Sequence, residues 1–240
     1  MKESHRLLRA SQDPAVTFLA LLPLALIHLL FRGQVQAAAF DLVERLLSWV
    51  GSPSVLALSA ALVLFFLWSM GRIHREGLPW RGGMALTFIE GAIWGLFLGP
   101  ILSQVTSWVT GFQGGPLAVP ALGTPPGAFG FLALSAGAGL YEELVFRAGI
   151  LAGLAVLVRG FFFALGWKHG AATFATGLAL LASSALFALA HTWGDPHALD
   201  PQVFTFRFLG GALLGVLFAW RGLAVAAYAH AAYDALTLLG

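Results

Sequence analysis

Apolar residues fill most of the chain in long runs, separated by short stretches that carry charges, glycine or proline. A run of about 18 or more apolar residues spans the hydrocarbon core of a bilayer as a helix. The seven candidate spans are Pro14–Phe31, Pro53–Met70, Met84–Val109, Ala128–Val158, Ala172–Trp193, Val203–Trp220 and Gly222–Leu239. This pattern predicts an all-α, polytopic transmembrane helical bundle of about seven spans, the fourth long enough to be tilted or broken.

Two of the connecting segments have a character of their own. Residues 37–51 (AAAFDLVERLLSWVG) place apolar positions at helical spacing with Asp41, Glu44 and Arg45 among them, which predicts a helix lying in the membrane interface. Thr110–Gly127 is uncharged and rich in glycine and proline, so we expect an irregular segment that could serve as a lid. We treat the chain as one integral membrane domain, with residues 1–127 holding spans 1–3 and residues 128–240 holding spans 4–7.

The composition agrees with this class. The 240 residues are 59% hydrophobic and 10% charged, whereas soluble domains carry roughly 25% charged residues. A net charge of +2 is too small to indicate a nucleic-acid partner, so the lipid bilayer is the expected surrounding. The chain has no cysteine, which excludes disulfides, thiolate nucleophiles and cysteine-ligated metals.

The basic residues predict an orientation. With the N-terminus inside, three basic residues fall in outer segments (Arg32, Arg45 and Arg207), and nine fall in inner segments: Lys2, Arg6, Arg9, Arg72, Arg75, Arg81, Arg159, Lys168 and Arg221. Because positive charges favour the cytoplasmic side, we expect a cytoplasmic N-terminus and, if all seven spans are real, an outer C-terminus. The membrane that we expect is a bacterial inner (plasma) membrane. The first span also resembles a signal peptide with a cleavage site after Ala39, although its length favours an uncleaved span.

Ionisable residues inside predicted spans are the candidate chemistry, because a charge at the bilayer centre costs about 2.5–3.5 kcal/mol. Three clusters stand out. Span 4 contains GLYEELVFRAG (139–149), span 5 ends in SSALFALAHTW (183–193), and span 7 contains AYAHAAYDAL (227–236). Three separate spans thus supply acid–base groups of the kind that activate water.

Helical spacing sorts these residues. Glu143 and Arg147 are four apart and can pair on one face, whereas Glu142 is turned by about 100° from Glu143 and has no local partner. His230 and Asp234 are also four apart. Taken singly, each cluster could be structural, as an ion pair, an interfacial histidine or a hydrogen-bond site. Two isolated residues are interpreted as structural. Glu90 is expected to be the partner of an arginine, and His28 is expected to have a structural role of its own.

Several classes of membrane hydrolase are excluded because their sequence motifs are absent from the chain. The chain has no H-E-x-x-H zinc-protease helix and no G-x-S-x-G nucleophile turn. Tyr233–Asp234 matches one motif of presenilin-like aspartyl proteases, but their second motif, G-x-G-D, is absent.

The three clusters together resemble the CPBP family, the CAAX-processing and bacteriocin-processing intramembrane endopeptidases related to the Rce1 prenyl-protein protease. The family pattern E-E-x-x-x-R, F-x-x-x-H and H-x-x-x-N/D reads here as EELVFR (142–147), FALAH (187–191) and HAAYD (230–234). The resemblance implies that residues 128–240 are a catalytic core. It implies that Glu142 is the general base, assisted by His191, and that His230 and Asp234 stabilise the oxyanion. Glu143, Arg147 and Phe187 are then supporting residues.

Asp234 leaves the cofactor question open, because an ionised carboxylate cannot donate a hydrogen bond to an oxyanion. Either it is protonated, or it orients His230, or it binds a metal. His191, His230 and Asp234 would form a plausible zinc set, although the family resemblance implies a metal-free glutamic endopeptidase.

The resemblance implies a membrane-associated protein or peptide as the substrate. Relatives in eukaryotes cut after a prenylated cysteine, and bacterial relatives need not. Two other functions remain open, a non-proteolytic immunity or scaffold protein of the same family and a proton-coupled transporter with a buried carboxylate–histidine relay.

Overall fold

The computed structural model describes residues 2–31, 52–111, 127–192 and 200–239. The elements in that part of the chain are all helical. They are α1 (Lys2–Gln12), α2 (Pro14–Phe31), α3 (Ser52–Glu76), α4 (Trp80–Thr110), α5 (Ala128–Gly137), two π-helical segments (Ala138–Glu142 and Leu144–Leu151), α6 (Ala152–Ala164), α7 (Ala171–Ala190), α8 (Pro201–Arg221) and α9 (Leu223–Leu239).

The all-α membrane fold is confirmed. Within the described residues six helices are long and apolar enough to cross a membrane, and they coincide with predicted spans 1–6. The fourth runs without a break in helical structure from Ala128 to Ala164. The seventh predicted span is the 17-residue helix α9. The chain is thus an integral membrane protein, and the number of crossings stays a prediction.

Helix α9 lies at the centre of the bundle, where it packs against α4, α5 and α8. Its alanines make this possible, because Ala226, Ala227 and Ala229 are fully buried. On α4, Gly91 and Gly95 face α9 so closely that a Cβ on Gly95 would lie 2.5 Å from the Cβ of Ala232. Small residues thus bring the two backbones together, as they do in other membrane bundles.

Helix α1 is not predicted by the pattern, because its 11 residues are polar and too short for a span. It is held at one end of the bundle by polar contacts. Asp13, between α1 and α2, accepts from Arg72 of α3 at 3.0 Å. The amide of Gln12 donates to the carbonyl of Trp220, and Arg221 donates to the Ser11 hydroxyl. The ends of α1, α3 and α8 therefore meet on one side of the membrane.

Two other predictions made outside the motifs concern His28 and Glu90. Glu90 is the partner of an arginine, since its Oε2 accepts from the Nη2 of Arg221 at 2.6 Å. His28 is buried, and its Nδ1 lies 3.0 Å from the carbonyl oxygen of Ala133. The predicted interfacial helix, most of the Gly/Pro segment and the candidate cleavage site after Ala39 lie outside the described residues.

Candidate active site

The two adjacent glutamates lie in a stretch of π-helix. Helical spacing predicts a regular α-helix there, and that prediction is wrong for residues 138–151, where π-helical segments flank Glu143. A π-helix bonds i to i+5 instead of i to i+4, is rare, and occurs frequently at functional sites. Gly139 in this stretch is pressed against α9, since a Cβ there would lie 2.5 Å from the carbonyl oxygen of Ala227.

Glu143 is the most deeply buried carboxylate of the site, and both of its oxygens face cationic or hydrogen-bonding groups. Oε2 lies 3.1 Å from the Nε of Arg147, the predicted i, i+4 pair. This contact is an ion pair only, because Oε2 and Nε are not oriented to form a hydrogen bond. Oε1 lies 2.8 Å from Nδ1 of His230 on α9. The second contact joins two helices and does not follow from the sequence pattern.

Arg147 is fully buried and makes contacts on three sides. Besides Glu143, it donates through Nη2 to the carbonyl of Gly211 at 3.3 Å. Its guanidinium lies 4.7 Å from the centre of the Phe187 ring, a cation–π arrangement. Phe187 in turn packs against His191, with the ring centres 4.6 Å apart. The three supporting residues named from the sequence thus form one contiguous group with the two histidines.

Glu142 faces the two imidazoles of this group. Its Oε2 lies 3.6 Å from Nε2 of His191 and 3.9 Å from Nε2 of His230. Both separations exceed a direct hydrogen bond, and Oε2 has no hydrogen-bond partner among the described residues. Polar groups at such distances commonly share a bridging water. The glutamate that lacks a local partner in the sequence therefore faces two histidines from other helices.

His191 is anchored at the end of α7 by two hydrogen bonds. Its Nδ1 lies 2.8 Å from the carbonyl oxygen of Phe187. A carbonyl only accepts, so Nδ1 carries the proton and Nε2 of the neutral ring is an acceptor. The carbonyl of His191 accepts from Nη1 of Arg207 on α8 at 3.1 Å. The sequence assigns Arg207 only to an outer segment, and its contact with His191 depends on helix packing that no motif reveals.

The protonated nitrogen of His230 is assigned in the same way. The Glu143 carboxylate accepts from Nδ1, so Nε2 is the nitrogen that faces Glu142 and Asp234. The distance from Nε2 to Oδ2 of Asp234 is 3.6 Å. The side chains of His230 and Asp234 are 7% and 24% exposed, so the carboxyl of Asp234 is the more accessible of the two groups. The hydrogen-bond partner of His230 is thus Glu143, and the role of Asp234 in orienting the ring stays a prediction.

The metal alternative names His191, His230 and Asp234 as a zinc set. No group of three or more His, Asp or Glu side chains in the described part of the chain is arranged to hold a metal ion. The residues of the candidate zinc set, His191, His230 and Asp234, are therefore near one another without forming a ligand sphere in this arrangement.

The comparison with protein families agrees with the motifs. The family model of type II CAAX prenyl endopeptidase Rce1-like proteins matches residues 124–236. This match confirms the family resemblance in the part of the chain that contains all three motifs, and it supports the fold of a CAAX-type intramembrane protease. Members of this family are generally proteases. Neither curated proteins nor solved structures gave a significant match.

Proposed function

We propose that this Rce1-like membrane protein is an intramembrane glutamic endopeptidase, which hydrolyses a peptide bond of a membrane-anchored or secreted protein or peptide. One observation carries the proposal. The carboxylate oxygen of Glu142 that lacks a hydrogen bond lies within 4 Å of the Nε2 atoms of both His191 and His230, and Nε2 of the neutral His191 ring carries no proton. A water placed among these three atoms would have a base on more than one side.

In the proposed reaction Glu142 removes a proton from this water while Nε2 of His191 accepts a hydrogen bond from it. The hydroxide attacks the carbonyl carbon, and the carbonyl oxygen becomes an oxyanion. The proton held by Glu142 then passes to the amide nitrogen as the C–N bond breaks. Positioned general bases of this kind contribute about 10²–10⁴-fold to a rate.

His230 and Asp234 would stabilise the oxyanion. Because Nδ1 of His230 is committed to Glu143, the ring can donate to the oxyanion only from Nε2, and only as the imidazolium. Asp234 can donate only as the neutral acid. Glu143, held by Arg147, fixes the ring orientation and supplies the negative charge that an imidazolium needs inside a bundle.

The proposed reaction needs no metal, because every step uses a side chain already at the site. The zinc set His191, His230 and Asp234 is the competing assignment. We place the protein in a bacterial inner membrane with a cytoplasmic N-terminus. The substrate is a membrane-associated protein or peptide, and prenylation of it is left open by the residues of the site.

The test is processing of membrane proteins in cells. A deletion strain is complemented with the wild type, Glu142→Gln or Glu3→Gln, and protein termini in the membrane fraction are compared by mass spectrometry. Glu3 is an exposed carboxylate on α1, so it is a matched acid-to-amide control. We expect the same unprocessed termini with the deletion and with Glu142→Gln at equal membrane abundance. Normal processing by Glu142→Gln would refute the mechanism.

A further inference from the structure

Exposed arginines gather at the end of the bundle where α1 meets α3, α4 and α8. The set consists of Arg6 and Arg9 on α1, Arg75 at the end of α3, and Arg81 at the start of α4, all exposed. Arg6 reaches the α3–α4 turn, where it donates to the carbonyl of Gly77 at 3.1 Å. We call these four residues the basic surface.

The positive charge of the basic surface is not neutralised within the described residues. The acids at this end are committed elsewhere, since Asp13 and Glu76 both pair with Arg72, at 3.0 and 3.4 Å. None of the four arginines of the basic surface forms an ion pair in the described ranges. The remaining exposed acid nearby is Glu3. Four cationic side chains thus face outward at the rim of a membrane bundle.

Tryptophans place the basic surface at the level of the lipid headgroups. Trp80 begins α4 and lies under the guanidinium of Arg81, whose centre is 5.2 Å from the ring. Trp220 is the penultimate residue of α8 on the same side, where its carbonyl accepts from Gln12. Tryptophan concentrates at the membrane–water interface, and the helices on either side of Arg75 and Arg81 are both spans.

We propose that the basic surface binds the phosphate groups of anionic phospholipids and that α1 is thereby a headgroup-binding helix. The apolar side of α1 is already used by the protein, because Leu7 and Ala10 pack on Gly82 and Gly83 of α4. The arginines are consequently directed toward the headgroups by protein packing and need no insertion of α1 into the bilayer. Clustered Lys and Arg residues beside a span are typical of anionic-lipid binding. This inference does not depend on the proposed proteolytic function.

The experiment uses the full-length protein in nanodiscs of phosphatidylcholine alone or mixed with phosphatidylglycerol. Native mass spectrometry counts the phosphatidylglycerol molecules retained, and thermal unfolding gives the stability in each lipid. We expect the wild type to retain phosphatidylglycerol and to unfold at a higher temperature in the mixed lipid. Replacing the four arginines by Gln should lower phosphatidylglycerol affinity by about fivefold for each arginine, and high salt should have a similar effect.

Two further arms of the experiment distinguish lipid binding at the basic surface from binding elsewhere and from binding of a free anion. The variant Arg159→Gln with Lys168→Gln removes exposed charges from the α6–α7 side of the protein, outside the basic surface, and should retain phosphatidylglycerol as the wild type does. An equal loss in this control would overturn the assignment to the basic surface. Inorganic phosphate added to phosphatidylcholine nanodiscs should not raise the unfolding temperature. If it reproduces the whole effect, the partner is a free anion and the lipid proposal is wrong.

Discussion

Two neighbouring glutamates, Glu142 and Glu143, have different surroundings. Glu143 is sealed between Arg147 and His230, whereas Glu142 is partly accessible and faces two imidazole nitrogens across gaps of 3.6 and 3.9 Å. The first arrangement is that of a group that holds others in place. The second leaves a carboxylate oxygen that faces two imidazoles without a hydrogen bond. A substitution should therefore reveal opposite phenotypes at adjacent positions.

Breaking the buried pair should cost stability. Glu143→Gln leaves Arg147 buried without its carboxylate partner, and Arg147→Met leaves Glu143 buried without its guanidinium partner. Removing one partner of a buried ion pair costs about 3–5 kcal/mol. We expect a low yield of folded protein and a lower unfolding temperature for both, measured by size exclusion and thermal melting in detergent. Glu142→Gln is the control and should melt like the wild type. Equal melting of all three variants would contradict this account of Glu143.

Activity should survive replacement of Asp234 by Asn but not replacement by Ala. Asn presents an N–H donor where a protonated Asp has O–H, so Asp234→Asn should keep substantial activity and be insensitive to chelators. Asp234→Ala removes the donor, and loss of one oxyanion donor costs about 10²–10³-fold in rate. The measurement is processing rate together with bound zinc by elemental analysis. An inactive Asp234→Asn protein that has also lost zinc would show that residue 234 is a metal ligand.

At the scale of single residues, the sequence predicts which residues lie at the candidate site better than it predicts which of them are in contact. The pair Glu143–Arg147 follows from i, i+4 spacing, which is local. The contact between Glu143 and His230 joins residues 87 positions apart, and the Arg207–His191 contact joins two helices. Neither can be read from spacing, because each depends on how α8 and α9 dock. The chemical roles of the site residues remain predictions.

At the scale of helices, prediction works where burial in lipid dictates length. The apolar runs locate the six spans to within a few residues, because a helix must cross a fixed hydrocarbon thickness. Helix α1 is not predicted by the pattern because it is held by docking on α4 and by the contacts of Gln12 with Trp220 and of Ser11 with Arg221. The π-helical stretch is not predicted because residues 138–151 have no sequence pattern that distinguishes i+5 from i+4 hydrogen bonding.

The junction of α4 and α9 is the element on which the site geometry depends, because α9 carries His230 and Asp234. A methyl group at Gly95 would lie 2.5 Å from the Cβ of Ala232 and 2.7 Å from the carbonyl oxygen of Ala229. The second contact is with backbone, so α9 itself must move. Gly95→Ala should destabilise the protein by about 1–3 kcal/mol and reduce processing activity further than the stability loss explains.

A matched glycine provides the control for this prediction. Gly153 lies in helix α6, and a Cβ there would meet no atom within 4 Å. Gly153→Ala should leave activity unchanged and stabilise the helix by about 0.5–1 kcal/mol. Thermal melting and the processing assay are applied to both variants. If Gly95→Ala melts and cleaves like Gly153→Ala, the close approach of α4 and α9 is not required for the site.

At the scale of the whole molecule, charge and chemistry lie toward opposite ends of the bundle. The contacts of Asp13 with Arg72 and of Gln12 with Trp220 collect the start of α2 and the ends of α3 and α8 on one side. Gly211 and Gly215 of α8 lie against Ser184 and Leu180 of α7, so the two helices are antiparallel, and His191 at the end of α7 lies toward the other side. The basic surface and the candidate active site are therefore separated along the membrane normal.

This separation predicts which side of the membrane the active site opens to. Since positive charges favour the cytoplasm, the end with α1 should be cytoplasmic, and His191 should lie near the outer surface. The chain has no cysteine, so single variants report accessibility without background. In intact cells a membrane-impermeant maleimide should label Asp195→Cys, which follows predicted span 5, and should spare His5→Cys on α1. In inverted vesicles the pattern should reverse. Labelling of Asp195→Cys only from the cytoplasmic side would reverse the orientation and require a substrate that reaches the site from the cytoplasm.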